Sequence, residues 1–347
     1  MARFRSFRNS DPPRLLQLFR QSGPGRAFAC PESTHALELS VFGLPYFDPH
    51  GLILAENDQG EVIGFAHSGF GFLPTLEGLD YSQGVICCVL VSQQHQKQGI
   101  GQELIGRSED YLKSHGATQI QAGQSRGRDP FYFGIYGGAR PSGFLESDRA
   151  ADPFLKSLGY LPSQQIPVFQ RDLTDRRDPM NIRLMTLRRQ TELLVTDQPE
   201  HPSWWWFCRF SNIESMRFQL VDRKSATPIA SMTVIGLDHY IAAWHERAIG
   251  LVDVIVEEPY RGQGFGQTLI VEAIRRLRTE MITRAEIHIP AESPDAVGAV
   301  LAAGFKQIDT GIVYARPEEA GLETTPAPAL ETENIPSPPE GTPPAST

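Results

Sequence analysis

Hydrophobic positions along the chain fall into short strand-like runs and longer helical stripes, and the same arrangement occurs twice. Val85 to Val91 (VICCVLV) is an apolar run of strand length. A polar stretch holding two glycines follows. After it Leu104, Ile105, Ser108, Tyr111 and Leu112 recur on one face of a predicted helix. With Val85 aligned on Gly250, an offset of 165 residues, GLVDVIVEEPYRGQGFGQTLI repeats the pattern of VICCVLVSQQHQKQGIGQELI. Here the helical face is Leu269, Ile270, Ala273, Ile274 and Leu277. A repeat of this length predicts two similar domains rather than a solenoid of small units.

The remaining pattern fits around each unit. Asp11-Pro12-Pro13 opens a helix, with Pro favoured in its first turn, and Leu15, Leu16, Leu18 and Phe19 form its apolar face. GLILAEND and EVIGFAHSGFGF read as two strands joined by a turn at Asn57 to Gly60. QIQAGQ is a short strand, ADPFLKSLGY a short helix ending at Gly159, and IPVFQRDL a last strand. In the second half FQLVDRKSATPIASMTVIGL is a strand pair. AEIHIP is a strand, SPDAVGAVLAAGF a short helix and GIVYAR a final strand. Only a short helical candidate lies between Asn181 and Met216. The aromatic run Trp204 to Phe207 there reads as a buried strand or a domain interface rather than a stacking platform. DLTDRRDPMN reads as the linker. The expected division is residues 1–174, residues 175–316 and a Pro/Glu-rich tail at 317–347 that lacks the apolar mass to order itself.

Composition narrows the class. The 347 residues are 40% hydrophobic and 21% charged, as in a globular protein. Net charge is −9, which argues against a nucleic-acid-binding surface, and six Glu of that charge lie in the tail. No apolar run reaches eighteen residues, so no membrane span is expected, and the Arg-containing N-terminus lacks the apolar core of a secretory signal. The spacing of Cys30, Cys87, Cys88 and Cys208 matches no zinc pattern. Reduced, buried thiols in a cytoplasmic protein are expected, with Cys87 and Cys88 on opposite faces of their strand. The histidines form no metal constellation and read as solvated residues.

The two glycine stretches, QKQGIG (Gln96 to Gly101) and RGQGFG (Arg261 to Gly266), carry the chemistry. A glycine turn running into a helix N-terminus exposes backbone N–H groups with no internal partner. Together with the helix dipole these make a site for phosphate groups. Neither stretch has the Lys-Ser/Thr of a nucleotide-binding P-loop, and Leu104 or Leu269 stands where a dinucleotide fingerprint has its third glycine.

These loops, each following a Val-rich strand, match the Q/R-x-x-G-x-G/A signature of the GNAT (GCN5-related N-acetyltransferase) superfamily. The resemblance covers nearly all of residues 1–316, and the segments ending in LGY (Leu158 to Tyr160) and AAGF (Ala302 to Phe305) resemble the family's later motif. The tandem arrangement resembles that of mycothiol synthases, with no sign of that substrate. The resemblance implies two α/β (α+β) folds, each a mixed, mostly antiparallel sheet flanked by helices. It implies acyl transfer from acetyl-CoA or another acyl-CoA to an amine on a small molecule or peptide, without a metal. Backbone groups of Val89, Leu90 and Val91, and of Val254, Ile255 and Val256, would meet the pantetheine arm. Gln96, Lys97, Gln98, Gly99, Ile100 and Gly101 would line one diphosphate site, and Arg261, Gly262, Gln263, Gly264, Phe265 and Gly266 the other.

The general acid departs from the family pattern. Leu155 and Val300 stand where many members place a Tyr, which keeps a non-catalytic acyl-CoA-binding protein as the alternative. Asp253, repeat partner of Cys88 and flanked by Val252, Val254 and Ile255, is the candidate base, weighed against a structural partner for an Arg. Tyr136 is the candidate acid. It lies in the segment Gly123 to Asp152, whose glycines read as mobile and whose Tyr132, Tyr136, Glu146 and Asp148 read as an acceptor-site wall or, as readily, as a surface excursion or inter-domain contact. On that wall, together with the fuller helical material around Asp11 to Phe47, rests the expectation that the first half performs the chemistry.

Overall fold

A computed structural model describes residues 2–22, 25–29, 31–179, 181–199 and 202–317. The expected disorder of the tail falls almost wholly outside these residues. The first half runs β1 (Arg3–Ser6), α1 (Pro12–Ser22), α2 (His35–Leu37), β2 (Leu52–Glu56), β3 (Val62–Phe72), β4 (Leu79–Val91), α3 (Ile100–Ser114), β5 (Gln119–Ala122), β6 (Phe144–Leu145), α4 (Ala151–Ser157) and β7 (Leu161–Asp172). The second runs α5 (Ile182–Gln190), β8 (Thr191–Thr196), α6 (Trp204–Phe210), β9 (Ser215–Asp222), β10 (Pro228–Gly236), α7 (Ile241–Trp244), β11 (Ala248–Val256), α8 (Phe265–Arg278), β12 (Arg284–His288), α9 (Pro294–Ala302) and β13 (Lys306–Ala315).

Local sequence accounts for the element ends. Asn181 caps α5 by accepting from the Leu184 amide at 2.7 Å, and Ser203 caps α6 through the Trp206 amide at 3.1 Å. Asp11, fully buried ahead of α1, accepts from Arg5 at 2.7 and 2.8 Å and from the Arg8 amide at 2.7 Å. The Trp run is therefore a helix, not a strand. Its Trp205 is buried and stacks on Phe72 of the first half, ring centroids 4.1 Å apart, so it does form an interface between the halves.

All the strands join one mixed, mostly antiparallel sheet in the order β1-β2-β3-β4-β5-β13-β7-β12-β11-β10-β9-β8, with β6 also on β13. The last strand of each half is exchanged. β13 pairs with β5 of the first half, and β7 pairs with β12 of the second, while β7 and β13 run antiparallel to each other along nearly their whole length. Residues on either side of the expected 174/175 boundary thus complete each other's sheet. One face is covered by α3, α4, α8 and α9. Three apolar clusters lie beneath, among them Leu104, Leu155, Leu269 and Val300. The other face carries a single cluster that spans both halves, from Leu15 and Phe65 through Tyr132 and Ala139 to Tyr240 and Val252.

The segment Gly123 to Gly143 leaves the line of β5, crosses this second face, and returns as β6 in the continuation of β5 along β13. Its glycines permit close approach rather than motion. A Cβ on Gly138 would lie 1.9 Å from a Glu286 carboxylate oxygen, and one on Gly143 would lie 2.3 Å from the Ile312 carbonyl oxygen. Most of the excursion is a buried contact between the halves.

Candidate active site

Each glycine loop is built and braced the same way. Lys97 and Gly99 take left-handed φ values of 59° and 81°, and their repeat partners Gly262 and Gly264 take 69° and 86°. Gln96 donates to the Val91 carbonyl at 3.1 Å and Gln98 to the Gln94 carbonyl at 3.1 Å. In the second copy Arg261 donates to Val256 at 3.1 Å and Gln263 to Pro259 at 2.7 Å. The motif side chains therefore hold the turn from behind. The amides of Lys97 to Gly101 and of Gly262 to Gly266 have no hydrogen-bond partner among the described residues. A row of free N–H groups at the positive end of a helix is suited to a diphosphate. The second loop has an added cation. Arg183 on α5 donates to the carbonyls of Gln263 and Gly262 at 3.0 and 3.1 Å.

Ahead of each loop two parallel strands part. β4 pairs with β5 only from Gln83 to Ile86 yet continues to Val91. β11 pairs with β12 only from Ala248 to Leu251 yet continues to Val256. The unpaired strand edge beyond the divergence offers backbone groups to an extended ligand. The two clefts differ. In the first, Cys88 and Leu90 are buried and Phe154 of α4 lies 3.0 Å from where a Gly101 Cβ would stand. In the second, Asp253, Val254, Ile255 and Val256 are all partly exposed.

Both clefts begin at a bulge. The β3–β4 register slips between His67 and Ser68, which brings Cys87 and Cys88 into the same buried cluster rather than onto opposite faces. The β10–β11 register slips at Met232, and Asp253 takes φ 51°, a conformation that Asp tolerates better than most residues.

The carboxylate of Asp253 does not stand as a free base. Arg140 of the excursion donates to it at 2.5 Å and Arg209 of α6 lies 4.0 Å away, while both arginines also reach the buried Asp129, Arg140 at 3.5 Å. Burial opposes ionisation of Asp253, but Arg140, Arg209 and Arg126 outweigh it and hold the group well below the ordinary carboxylate range. A carboxylate held so firmly ionised is a weak proton acceptor, and the Arg-paired reading of Asp253 fits it better. Tyr136 is 3% exposed, too enclosed to exchange protons freely, and burial raises its pKa far above the ordinary Tyr value. It lies near Cys88, with Asp148 also within electrostatic reach. Asp148 is half-buried, and that burial raises its pKa. No arginine bonds to it among the described residues.

Two histidines are buried rather than solvated. His67 contacts the Tyr132 hydroxyl at 2.9 Å through Nδ1, and burial holds it down to about 3. His288 sits where β11 and β12 part, 2.9 Å from Glu286 and 2.8 Å from the Ser142 hydroxyl. Ser142 is 1% exposed, so this Ser–His–Glu chain has no substrate access. Glu286, bonded also to Arg26, Gln170 and the Ala139 amide, ties the excursion to the second half. A buried His in a Val- and Phe-rich strand has no distinguishing sequence signal. The Arg140–Asp129–Arg209 network was equally hidden, because it joins the excursion to α6, some 70 residues further along the chain. Among the described residues no group of His, Cys, Asp and Glu is placed to hold a metal, and no helix is long and apolar enough to cross a membrane.

Comparison with known proteins agrees with this geometry. No curated protein matches the sequence. Among solved structures, the chain is similar to a tandem GNAT protein from the clavulanic acid biosynthesis pathway (16% identity, TM-score 0.61, 92% of this chain and 99% of that one). It is similar also to a GCN5-related N-acetyltransferase from Sphaerobacter thermophilus (15% identity, TM-score 0.60, 91% and 95%). A third is the GCN5-related glucosamine N-acetyltransferase region of a fungal multi-domain GH3 β-N-acetylglucosaminidase (15% identity, TM-score 0.67, 91% of this chain), of which this chain spans 38%. At these identities the likeness is one of fold. The sequence model of the acetyltransferase (GNAT) family matches residues 13–132 and again 184–305, each match containing one braced loop and its diverging strand. With most of its length matched in two copies, the chain belongs to the acetyltransferase (GNAT) family, as a tandem member.

Proposed function

We propose that the protein transfers an acyl group, acetyl in the first instance, from acyl-CoA to an amine, and that the second half performs the transfer. The duplicated row of free amides on α3 and α8, each downstream of a parting strand pair, carries the reading of the donor. The loop amides would take the diphosphate and the exposed edge of β11 the pantetheine arm. The amine nitrogen then attacks the thioester carbonyl carbon, the C–S bond breaks, the amine loses a proton, and the leaving thiolate takes one. A thiol of ordinary pKa near 8.5 is protonated by water at neutral pH, so the absence of a Tyr at Val300 is no obstacle. Asp253 serves as a structural anchor in this scheme, and the amine arrives already neutral. The free, buried thiols of Cys87, Cys88 and Cys208 fit a cytoplasmic setting.

The buried state of Cys88 and Leu90 favours a second reading for the first half alone, an acyl-CoA-binding domain without turnover. Calorimetry with acetyl-CoA tests the donor site. Binding is expected in the wild type and lost in the folded double variant Gly99→Asp/Gly264→Asp. Equal affinity in both proteins would refute the loops as the site.

A further inference from the structure

The two glycine turns are alike in backbone and differ in what packs behind them. A Cβ on Gly99 would meet nothing within 4 Å, whereas one on its repeat partner Gly264 would lie 3.3 Å from Arg183 Nε and 3.5 Å from the Leu187 side chain. Both neighbours belong to α5. The carbonyls of Lys97 and Gln98 accept no hydrogen bond among the described residues. Their repeat partners, the carbonyls of Gly262 and Gln263, are both held by Arg183, through Nη2 at 3.1 Å and Nε at 3.0 Å. The helix that carries Arg183 is itself fixed. Leu184 and Leu187 are buried in the cluster beneath α8, and Arg188 pairs with Glu272 of α8 at 2.5 Å. Asp178, just ahead of α5, pairs with Arg275 and Arg278 of α8 at 2.6 and 2.7 Å. An exposed guanidinium thus reaches the turn from a rigid base.

Each of its two bonds falls on a peptide whose other end is one of the free amides. The Gly262 carbonyl shares its peptide with the Gln263 amide, and the Gln263 carbonyl shares its own with the Gly264 amide. Both amides belong to the row without partners. A cation bonded to the carbonyl end polarises the group and makes its N–H the stronger donor. It also fixes the orientation of two peptides in a turn where glycine permits rotation. We propose that Arg183 is a positioning residue of the second donor site: by holding these two peptides from behind, it makes the second loop the tighter of the two for the acyl-CoA diphosphate. The inference rests on the loops being the donor sites. It gives the two halves unequal donor affinity through a side chain that lies outside both copies of the glycine motif and acts without touching the ligand.

Calorimetry of the full chain with acetyl-CoA tests this. The wild type is expected to show two sites of unequal affinity. Gly99→Asp should keep the tighter one, and adding Arg183→Gln to it should weaken that site about tenfold, the size of a charge-assisted hydrogen bond. In the chain with both loops intact, Arg183→Gln should leave the weaker site as it was. S-acetylpantetheine has the same arm and thioester without the diphosphate. It should stabilise the wild type and Arg183→Gln equally in thermal denaturation, which a general loosening of α5 would not allow. Two equal sites in the wild type, an unchanged affinity in Gly99→Asp/Arg183→Gln, or a loss shared by S-acetylpantetheine overturns the proposal while leaving the loops as donor sites. Absence of acetyl-CoA binding in the wild type is a different result, which removes the donor reading and the proposal with it.

Discussion

Arg140 and Asp253 lie 113 residues apart, one on the excursion of the first half and one on the bulge of β11, and meet at 2.5 Å. The pair fixes the excursion against the second cleft. Removing the cation leaves Asp253 and Asp129 with a surplus of buried negative charge, which costs about 3–5 kcal/mol. Arg140→Met should therefore lower stability by that order in urea denaturation. Adding Asp253→Asn should recover part of the loss, because it removes one of the orphaned charges. A double variant no more stable than Arg140→Met would show that the two residues are not coupled.

The two loops should differ in consequence. Gly99 and Gly264 are equally left-handed, so an Asp at either position carries a similar backbone strain and places a like charge at the anion site. Gly264→Asp should abolish turnover. Gly99→Asp should leave turnover within a few-fold and remove one acyl-CoA from the binding stoichiometry. The opposite pattern, in folded proteins, would assign the chemistry to the first half.

Stability should fall in mild acid through His67. Burial holds its imidazole at about 3 in the folded protein, against about 6.5 when unfolded, so between these values the unfolded chain binds a proton that the native one excludes. Stability then rises with pH across that window and is lost as pH falls through it, with a slope of up to about 1.4 kcal/mol per unit from this group. His67→Gln should flatten the dependence of the denaturation midpoint between pH 6 and pH 4. An unchanged slope would show that His67 accepts the proton without unfolding.

Trp205 joins α6 to the first half through Phe72 and through Tyr46, whose ring centroid is 5.6 Å away. Trp205→Ala should cost about 3–5 kcal/mol. The substitution should also loosen Arg209, whose guanidinium lies 5.3 Å from the Trp205 ring. A melting temperature unchanged within a degree would contradict this account of the interface.

The legible parts of this protein are those whose cause is local. The brace of Gln96 and Gln98, repeated at Arg261 and Gln263, follows from a few consecutive residues, and the helical stripes from Leu104 and Leu269 follow from periodicity. Hidden parts depend on distant partners. Nothing within GIVYAR distinguishes a strand beside β7 from one that also reaches β5. Gly138 and Gly143 look like hinge residues until Glu286 and Ile312 stand against them. Asp253 shows the same limit at a single position. Its apolar neighbours suggest a raised pKa, while the arginines that lower it come from residues 126, 140 and 209.

The exchange of β7 and β13 sets an order on synthesis. As the chain leaves the ribosome, β5 has no partner on its outer side until Tyr314 and Ala315 have been made. Domains ordinarily fold as they emerge, the N-terminal one first. Here the first half waits with that edge of β5 open while almost the entire second half is translated. A nascent chain arrested near residue 175 would lack the strand that closes this edge in the full protein, and strand edges left open in this way invite pairing between molecules. The duplication is therefore not simply divisible: a chain cut between the copies would leave each sheet short of the strand it takes from the other.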